Sequence, residues 1–264
     1  MKGVALRFID IHCHIIPGVD DGPADMGSSV EMAKMAVNDG ITDIIATPHI
    51  LEGFYLGEDR EQRLDQLRSE LSKANIAVTL HAGAEVPMSL CLAGNEELLR
   101  TLTLAGGRYL LVETSDTTFD QVAQAVYRIQ LCGLFPVLAH PERTAFVRED
   151  PSRLDEMLGR HACIQVTAAS LEGIFGKTIK KTAMSLLRSG LVHIIATDAH
   201  SIGRRSPRLS NCYSILSKEI GEPAAQVIML ENPARIISNA PIEPKACISI
   251  PRKKGFLAKL LQRR

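Results

Sequence analysis

The sequence predicts an α/β protein: one domain, built as a distorted barrel of seven β/α units. Two observations predict it. Seven short apolar runs rich in Val, Ile or Leu alternate with stretches at helical spacing, and such alternation implies right-handed crossovers and a parallel sheet. Six of those runs also end in histidines or carboxylates. Barrel strands deliver their C-terminal ends to one face, whereas an open doubly wound sheet offers a single crevice at its switch point.

The runs fall at residues 6–11, 42–47, 77–82, 109–113, 135–139, 163–166 and 193–197. Most lack simple alternation, as expected of strands buried on both faces. Between them, residues 28–38 carry Val30, Ala33, Met35 and Val37 and stop at Asp39-Gly40, while residues 58–73 place Leu64, Leu67 and Leu71 on one helical face. Residues 119–131, 151–159 and 178–188 read the same way, and beyond His200 further helices are expected at 207–220, 223–230 and 233–238. The domain is expected to span residues 1–240, followed by a basic tail over 241–264 punctuated by Pro241, Pro244 and Pro251.

Composition narrows the class. An apolar fraction of 45% supports a sizeable core. Thirty basic residues balance thirty acidic ones, so nothing global points to nucleic acid. The six cysteines form no C-x-x-C pair, which reads as a reduced chain with buried thiols. Met1 to Arg7 runs directly into the first strand, with no signal sequence, and no apolar run is long enough for a membrane span. A cytoplasmic location is expected.

The strand ends carry the chemistry. Asp10-Ile11-His12-Cys13-His14 closes the first run and Thr197-Asp198-Ala199-His200 the last. Thr47-Pro48-His49, Gly83-Ala84-Glu85, Val112-Glu113 and His140-Pro141-Glu142-Arg143 close four more. In a strand alternate residues share a face, so His12 and His14 point together, with Asp10 behind them as a supporting partner and Cys13 turned into the core. Asp21 lies in a loop short enough to fold back over the pair, and Asp20 competes for that place. His81, His161 and His193 sit at strand starts or interiors and are set aside. A single such histidine is ordinarily a hydrogen-bonded structural residue; eight donors at strand ends, joined by Asp21 from its loop, are not an accident of that kind. His12, His14, Asp21, His49, Glu85, Glu113, His140, Asp198 and His200 are too many for one ion, so two or three divalent ions are expected, with Glu85 bridging. Nitrogen and oxygen donors without thiolate suit Mn, Fe, Zn or Co.

A multinuclear site lowers the pKa of water and binds phosphate oxygens, which suits phosphoester hydrolysis. Arg143 and Arg205 lie on loops beside the site, where a guanidinium fork matches a phosphate; Arg204 competes with its neighbour for that role. Other phosphatase chemistries lack their motifs. The nearest approach to C-x5-R starts at Cys247 and reaches Lys253, and neither a G-x-x-x-x-G-K-[ST] loop nor a G-x-S-x-G elbow occurs.

These motifs, with Asp20-Asp21-Gly22-Pro23 and Asn232-Pro233, resemble the PHP (polymerase and histidinol phosphatase) superfamily over about residues 8–238. Within it the chain is most similar to the capsule-type (CpsB/CapC-like) metal-dependent protein-tyrosine phosphatases of bacteria. The resemblance implies a PHP-type barrel with a trinuclear site: one ion at His12, His14, Glu85 and Asp198, a second sharing Glu85 with Glu113 and His140, and a third at Asp21, His49 and His200. Manganese is the first choice. It further implies that a metal-activated hydroxide attacks phosphorus, with Arg143 and Arg205 holding the phosphoryl group. The implied partner is a phosphotyrosine protein, a bacterial tyrosine kinase that controls capsular or exopolysaccharide synthesis.

Three features lie at the edge of that reading. Phe54 and Tyr55, after His49, could wall an aromatic substrate or belong to an ordinary surface loop. In the tail, Phe256, Leu257, Leu260 and Leu261 among basic residues would let a helix lie on an anionic inner-membrane surface, against the alternatives of a solvated tail or a helix packed on a second subunit. A homo-oligomer would present several sites to a multiply phosphorylated target. The rival functions are another phosphoesterase of the superfamily, such as one acting on histidinol phosphate, and a non-catalytic docking module, which the complete donor set disfavours.

Overall fold

The computed structural model describes residues 6–50, 58–157 and 162–242. Strands β1 (Phe8–Cys13), β2 (Ile41–Ala46) and β3 (Thr79–Ala82) form one parallel sheet in that order. Strands β4 (Glu85–Val86), β5 (Tyr109–Glu113), β6 (Phe135–Ala139), β7 (Cys163–Thr167) and β8 (Ile194–Ala196) form a second, also parallel and sequential. The α/β class is as expected. The count of seven strands is not: among the described residues eight strands form, because the third run is followed by a separate two-residue strand at Glu85. Gly83 permits the break. A Cβ there would stand 2.7 Å from the Ile45 side chain, so the chain steps between sheets only with glycine at this point.

Isolated parallel bridges, Cys13 to Ala199 and His49 to Glu85, connect the two sheets at their C-terminal ends. Asp198 N–H donates to His12 O at 2.8 Å and His14 N–H to Ala199 O at 2.8 Å. A barrel is therefore compatible with this arrangement, but among the described residues no continuous ladder closes it. What the sheets do share is an inner apolar cluster. Ile11, Ile45, Leu111, Val137 and Ile194 come from β1, β2, β5, β6 and β8, and all are fully buried. Burying each such side chain contributes roughly 1.5–3 kcal/mol.

Outside the strands the helices cover the sheet as the spacing predicted. Helix Met26–Asn38 starts at Asp25, whose carboxylate accepts the Ser28 N–H at 2.8 Å, and stops before Gly40 at φ 93°. Helix Glu58–Lys73 buries Leu64, Leu67 and Leu71. Helix Phe119–Leu131 opens with a capping box between Thr118 and Gln121. Helices Met88–Ala93, Glu96–Thr101, Ala145–Glu149 and Ala168–Glu172 were not anticipated; each is too short to show a helical period. The helix expected at 151–159 runs over Arg153–Met157. At the opposite end from the strand C-termini, the Tyr109 hydroxyl donates to Ala240 O at 2.8 Å and accepts the Ile242 N–H at 2.9 Å, tying the end of the domain under β5. The tail beyond Ile242 and the segment with Phe54 and Tyr55 lie outside the described residues.

Candidate metal centre

Strand β1 delivers two imidazoles to one face. His12 and His14 are fully buried, with their Nε2 atoms 3.2 Å apart. Each ring is held from behind through Nδ1, His12 by Gln165 Oε1 at 2.9 Å and His14 by Asp20 Oδ2 at 2.6 Å. With Nδ1–H donating, Nε2 keeps its lone pair toward the centre, the usual state of a ligating histidine. Glu85 opens β4 in the middle of the cluster. Its Oε2 is 3.2 Å from His12 Nε2, 3.2 Å from His14 Nε2 and 3.1 Å from His49 Nδ1, and its Oε1 is 2.9 Å from His140 Nε2. Asp198 Oδ1 lies 3.5 Å and 3.6 Å from the His12 and His14 rings.

The structure brings all the predicted donors to one place. One atom each from His12, His14, Glu85 and Asp198 fall within 4.8 Å of one another, as do those of His14, Asp21, His49 and His200, and those of His49, Glu85 and Glu113. His140 faces the last group, 2.9 Å from Glu85 and 3.6 Å from Glu113. Since Asp20 occupies Nδ1 of His14, only Nε2 is free, and that atom lies by Glu85 and Asp198. The middle group then rests on the exposed Asp21, whose Oδ1 is 3.0 Å from His200 Nε2 and 3.5 Å from His49 Nε2. These residues fit divalent cations. Glu85 Oε2, 3.1–3.2 Å from three imidazole nitrogens, and His200 Nε2, 3.0 Å from Asp21 Oδ1, are buried atoms with no well-directed hydrogen bond; leaving such atoms poorly satisfied is costly, and a cation among them removes that cost.

Electrostatics follow from the same packing. Burial alone would lower the His14 pKa, but the carboxylates of Asp20 and Glu85, which accept from its ring N–H groups, outweigh it and raise the value to about 10. His140 is likewise raised to about 9, where Glu85 and Glu113 overcome burial. His200 moves the other way, to about 4, through burial and the neighbouring His14. Burial would raise Glu85, yet His12, His14 and His140 hold it well below the usual carboxylate range. Asp198 is also lowered, because His12, His140 and Arg143 outweigh its burial.

Backbone geometry at the strand exits is special. His140 has φ 34° and Asp198 φ 52°, the left-handed region that costs a side-chain-bearing residue on the order of 1–3 kcal/mol. The strain at Asp198 is held by its neighbours: Asp10 Oδ1 accepts the Thr197 N–H at 3.0 Å and Asp10 Oδ2 accepts the Thr197 hydroxyl. This corrects the expected part of Asp10. It does not support the histidine rings; one step back along β1, it reaches across to pin the exit of β8, and its burial raises its pKa to about 6. Asp20 is the residue behind the His14 ring, with Asp21 facing the cluster. Cys13 lies in the core as expected.

The two arginines converge on one carboxylate. Arg143 Nη2 donates to Asp198 Oδ2 at 2.7 Å and to Thr167 Oγ1 at 3.1 Å. Arg205 Nη2 donates to Asp198 Oδ1 at 2.7 Å. Arg204 instead turns outward and donates to Ile174 O. Sequence reasoning missed three supporting residues. Gln165 is a polar side chain inside the fully buried strand Cys163–Thr167, a signal that was available. Glu142 is fully buried, its Oε1 accepting from Thr167 N–H at 3.1 Å and Ser170 Oγ at 2.5 Å, which fixes the threonine that holds Arg143. Phe175 stacks on Arg143 and carried no signal at all.

Parallel strands whose exits converge on a histidine–carboxylate cluster, with two arginines turned onto one of its carboxylates, define a candidate metal centre built to receive an anion. The chain belongs to the family described as capsular polysaccharide synthesis, CpsB/CapC, whose model matches residues 8–238. It is 37% identical over 254 residues to the tyrosine-protein phosphatase YwqE of Bacillus subtilis (strain 168), covering 94% of this chain and 98% of that one. It is 30% identical to the tyrosine-protein phosphatase CpsB of Streptococcus pneumoniae, covering 87% and 98%. Among solved structures, one from the crystal structures of YwqE from Bacillus subtilis and CpsB from Streptococcus pneumoniae, described as unique metal-dependent tyrosine phosphatases, superposes with a TM-score of 0.79 at 36% identity, over 90% of this chain and 98% of that one. The family resemblance drawn from the motifs therefore holds.

Proposed function

We propose that the protein is a metal-dependent protein-tyrosine phosphatase. The observation that carries the reading is the convergence of Arg143 and Arg205 on Asp198, each at 2.7 Å. Two guanidinium groups held beside a cluster of cation ligands make a site for a phosphoryl group. The similar proteins named tyrosine-protein phosphatases supply the substrate class.

The donors His12, His14, Glu85 and Asp198 would hold one ion, Glu85, Glu113 and His140 a second, and Asp21, His49 and His200 a third; manganese is the first choice, with iron, cobalt or zinc as alternatives. Divalent ions there lower the pKa of water and offset phosphoryl charge. The chain's own residues do the rest. Gln165 and Asp20 fix the His12 and His14 rings. Asp198 would be among the residues that hold a cation, Arg143 and Arg205 would then offer their N–H groups to the phosphoryl oxygens, and Thr167, set by Glu142, accepts from Arg143 and helps to orient it. Four thiols are poor nucleophiles: Cys13, Cys91, Cys163 and Cys212 are buried, and burial raises all four, Cys91 and Cys163 to about 12.

The substrate is phosphotyrosine on a bacterial tyrosine kinase of capsular or exopolysaccharide synthesis. Among the described residues no helix is long and apolar enough to cross a membrane. As part of the same proposal, the protein works in the cytoplasm with peripheral contact to the inner membrane through residues 241–264, and a homo-oligomer would present several sites to a multiply phosphorylated tail. The test compares kcat/KM on a phosphotyrosine peptide and on histidinol phosphate with metal-loaded protein. A clear preference for the peptide supports the proposal; preference for histidinol phosphate overturns it.

A further inference from the structure

Phe175 is half-buried beside Arg143. It stands on a tight turn between helices Ala168–Glu172 and Lys177–Arg188. Gly173 and Gly176 bracket the turn at φ 91° and 95°, conformations that disfavour a side chain. Gly176 N–H donates to Gly173 O at 3.1 Å and Ile174 N–H to Ala169 O at 2.9 Å. The ring is thus carried on a hydrogen-bonded backbone anchored by a helix at each end.

The Arg143 guanidinium carbon lies 4.3 Å from the Phe175 ring centroid, and that of Arg204 6.0 Å away. Arg143 therefore has Asp198 and Thr167 along its edge and an aromatic ring on its face, an arrangement that orients the cation. Ile174, next to Phe175 in the chain, is one of only five large hydrophobic side chains exposed among the described residues, and with Ile202 it lines a neighbouring 750 Å³ cleft whose other walls are mostly polar, Arg204 and Glu172 among them. A phosphate oxygen bonded to a guanidinium sits about 2.8 Å from its nitrogen. The carbon beyond the ester oxygen then falls within van der Waals reach of a ring stacked on that same guanidinium.

We propose that Phe175 determines specificity for aryl phosphomonoesters, stacking on Arg143 to position it and packing against the substrate's ring; this rests on the reading of the centre as a phosphomonoester site. An alkyl ester at the same phosphate position leaves the ring without a partner. The aromatic contact is of a kind that contributes beyond simple burial.

Calorimetry on the full chain loaded with Mn²⁺, using phenylphosphonate and methylphosphonate, tests this without turnover. Wild type is expected to favour phenylphosphonate about tenfold, and the preference to fall to about twofold in both Phe175→Ala and Phe175→Leu while Phe175→Tyr keeps it. The leucine variant retains apolar bulk, so the comparison survives if alanine disturbs the fold. An unchanged preference in the leucine variant, equal weakening of both ligands, or a wild type without preference overturns the proposal. A wild type that shows the phenyl preference but hydrolyses no phosphotyrosine peptide overturns the phosphatase reading alone.

Discussion

Replacing Gln165 by leucine probes how the centre is tuned. Gln165 Oε1 accepts the His12 Nδ1–H at 2.9 Å in a fully buried site, and this one contact fixes both the tautomer and the orientation of the ring. Leucine is of similar size but cannot accept. The stranded Nδ1–H costs about 1–3 kcal/mol. Part of that loss is offset, because the substitution also removes Gln165 Nε2, a buried amide nitrogen with no partner, so the net change in fold stability is expected to be about 1 kcal/mol. The effect on metal binding is expected to be larger. Loss of a histidine's supporting partner weakens metal affinity by about 10- to 100-fold, or roughly 1.4–2.7 kcal/mol. Competition with a metal-sensitive chelator gives the affinity, and thermal unfolding in excess chelator reports the fold separately. A Gln165→Leu protein that is folded and binds metal as tightly as wild type would refute the reasoning that this contact sets the ligating state of His12.

Further outcomes follow from the same geometry. Arg205→Ala is expected to lower kcat/KM on a phosphotyrosine peptide by about 10²- to 10³-fold, whereas Arg204→Ala, which removes an outward bond to Ile174 O and a remote approach of 6.0 Å to the Phe175 ring, should change it within about twofold; steady-state kinetics distinguish them. In the absence of metal, His14 is raised to about 10 and His140 to about 9, above their unfolded values. Metal must displace those protons, so affinity should rise from pH 6 to 9, and calorimetry in two buffers at pH 7 should show proton release. The sign for stability is the reverse: protonation of these two rings stabilises the metal-free fold fully below about pH 6.5 and is lost as pH rises through 9 and 10, so chelated protein should lose this stabilisation over that window. Tyr109→Phe should lower stability by about 1–3 kcal/mol through loss of its bonds to Ala240 and Ile242, read by denaturant unfolding, with activity retained.

The site was far more legible in the sequence than its support. His12-x-His14, Glu85, His140 and Asp198-x-His200 stand at strand exits, so a one-dimensional pattern already implied convergence. Arg143 was visible for the same reason. Choosing Arg205 over Arg204 required the loop over residues 200–206 to be folded, since adjacent residues differ only in direction. Asp10 was misread because its partner, Thr197, is far along the chain and meets it only when β1 and β8 lie side by side. The break between β3 and β4 was also hidden: two residues of strand leave no period, and the need for Gly83 appears only against Ile45. Phe175 lies in a loop whose sequence neighbours say nothing about Arg143.

The central claim is that this cluster, loaded with metal, hydrolyses phosphotyrosine with Arg143 holding the phosphoryl group. The most direct measurement is phosphate release from a phosphotyrosine peptide by metal-stripped protein after adding back Mn²⁺, Co²⁺, Fe²⁺ or Zn²⁺, beside His12→Ala and Arg143→Ala. The account predicts no turnover without metal, turnover restored by at least one ion, and its loss in both variants. Folded, metal-binding protein that releases no phosphate with any ion, or variants as active as wild type, would contradict it.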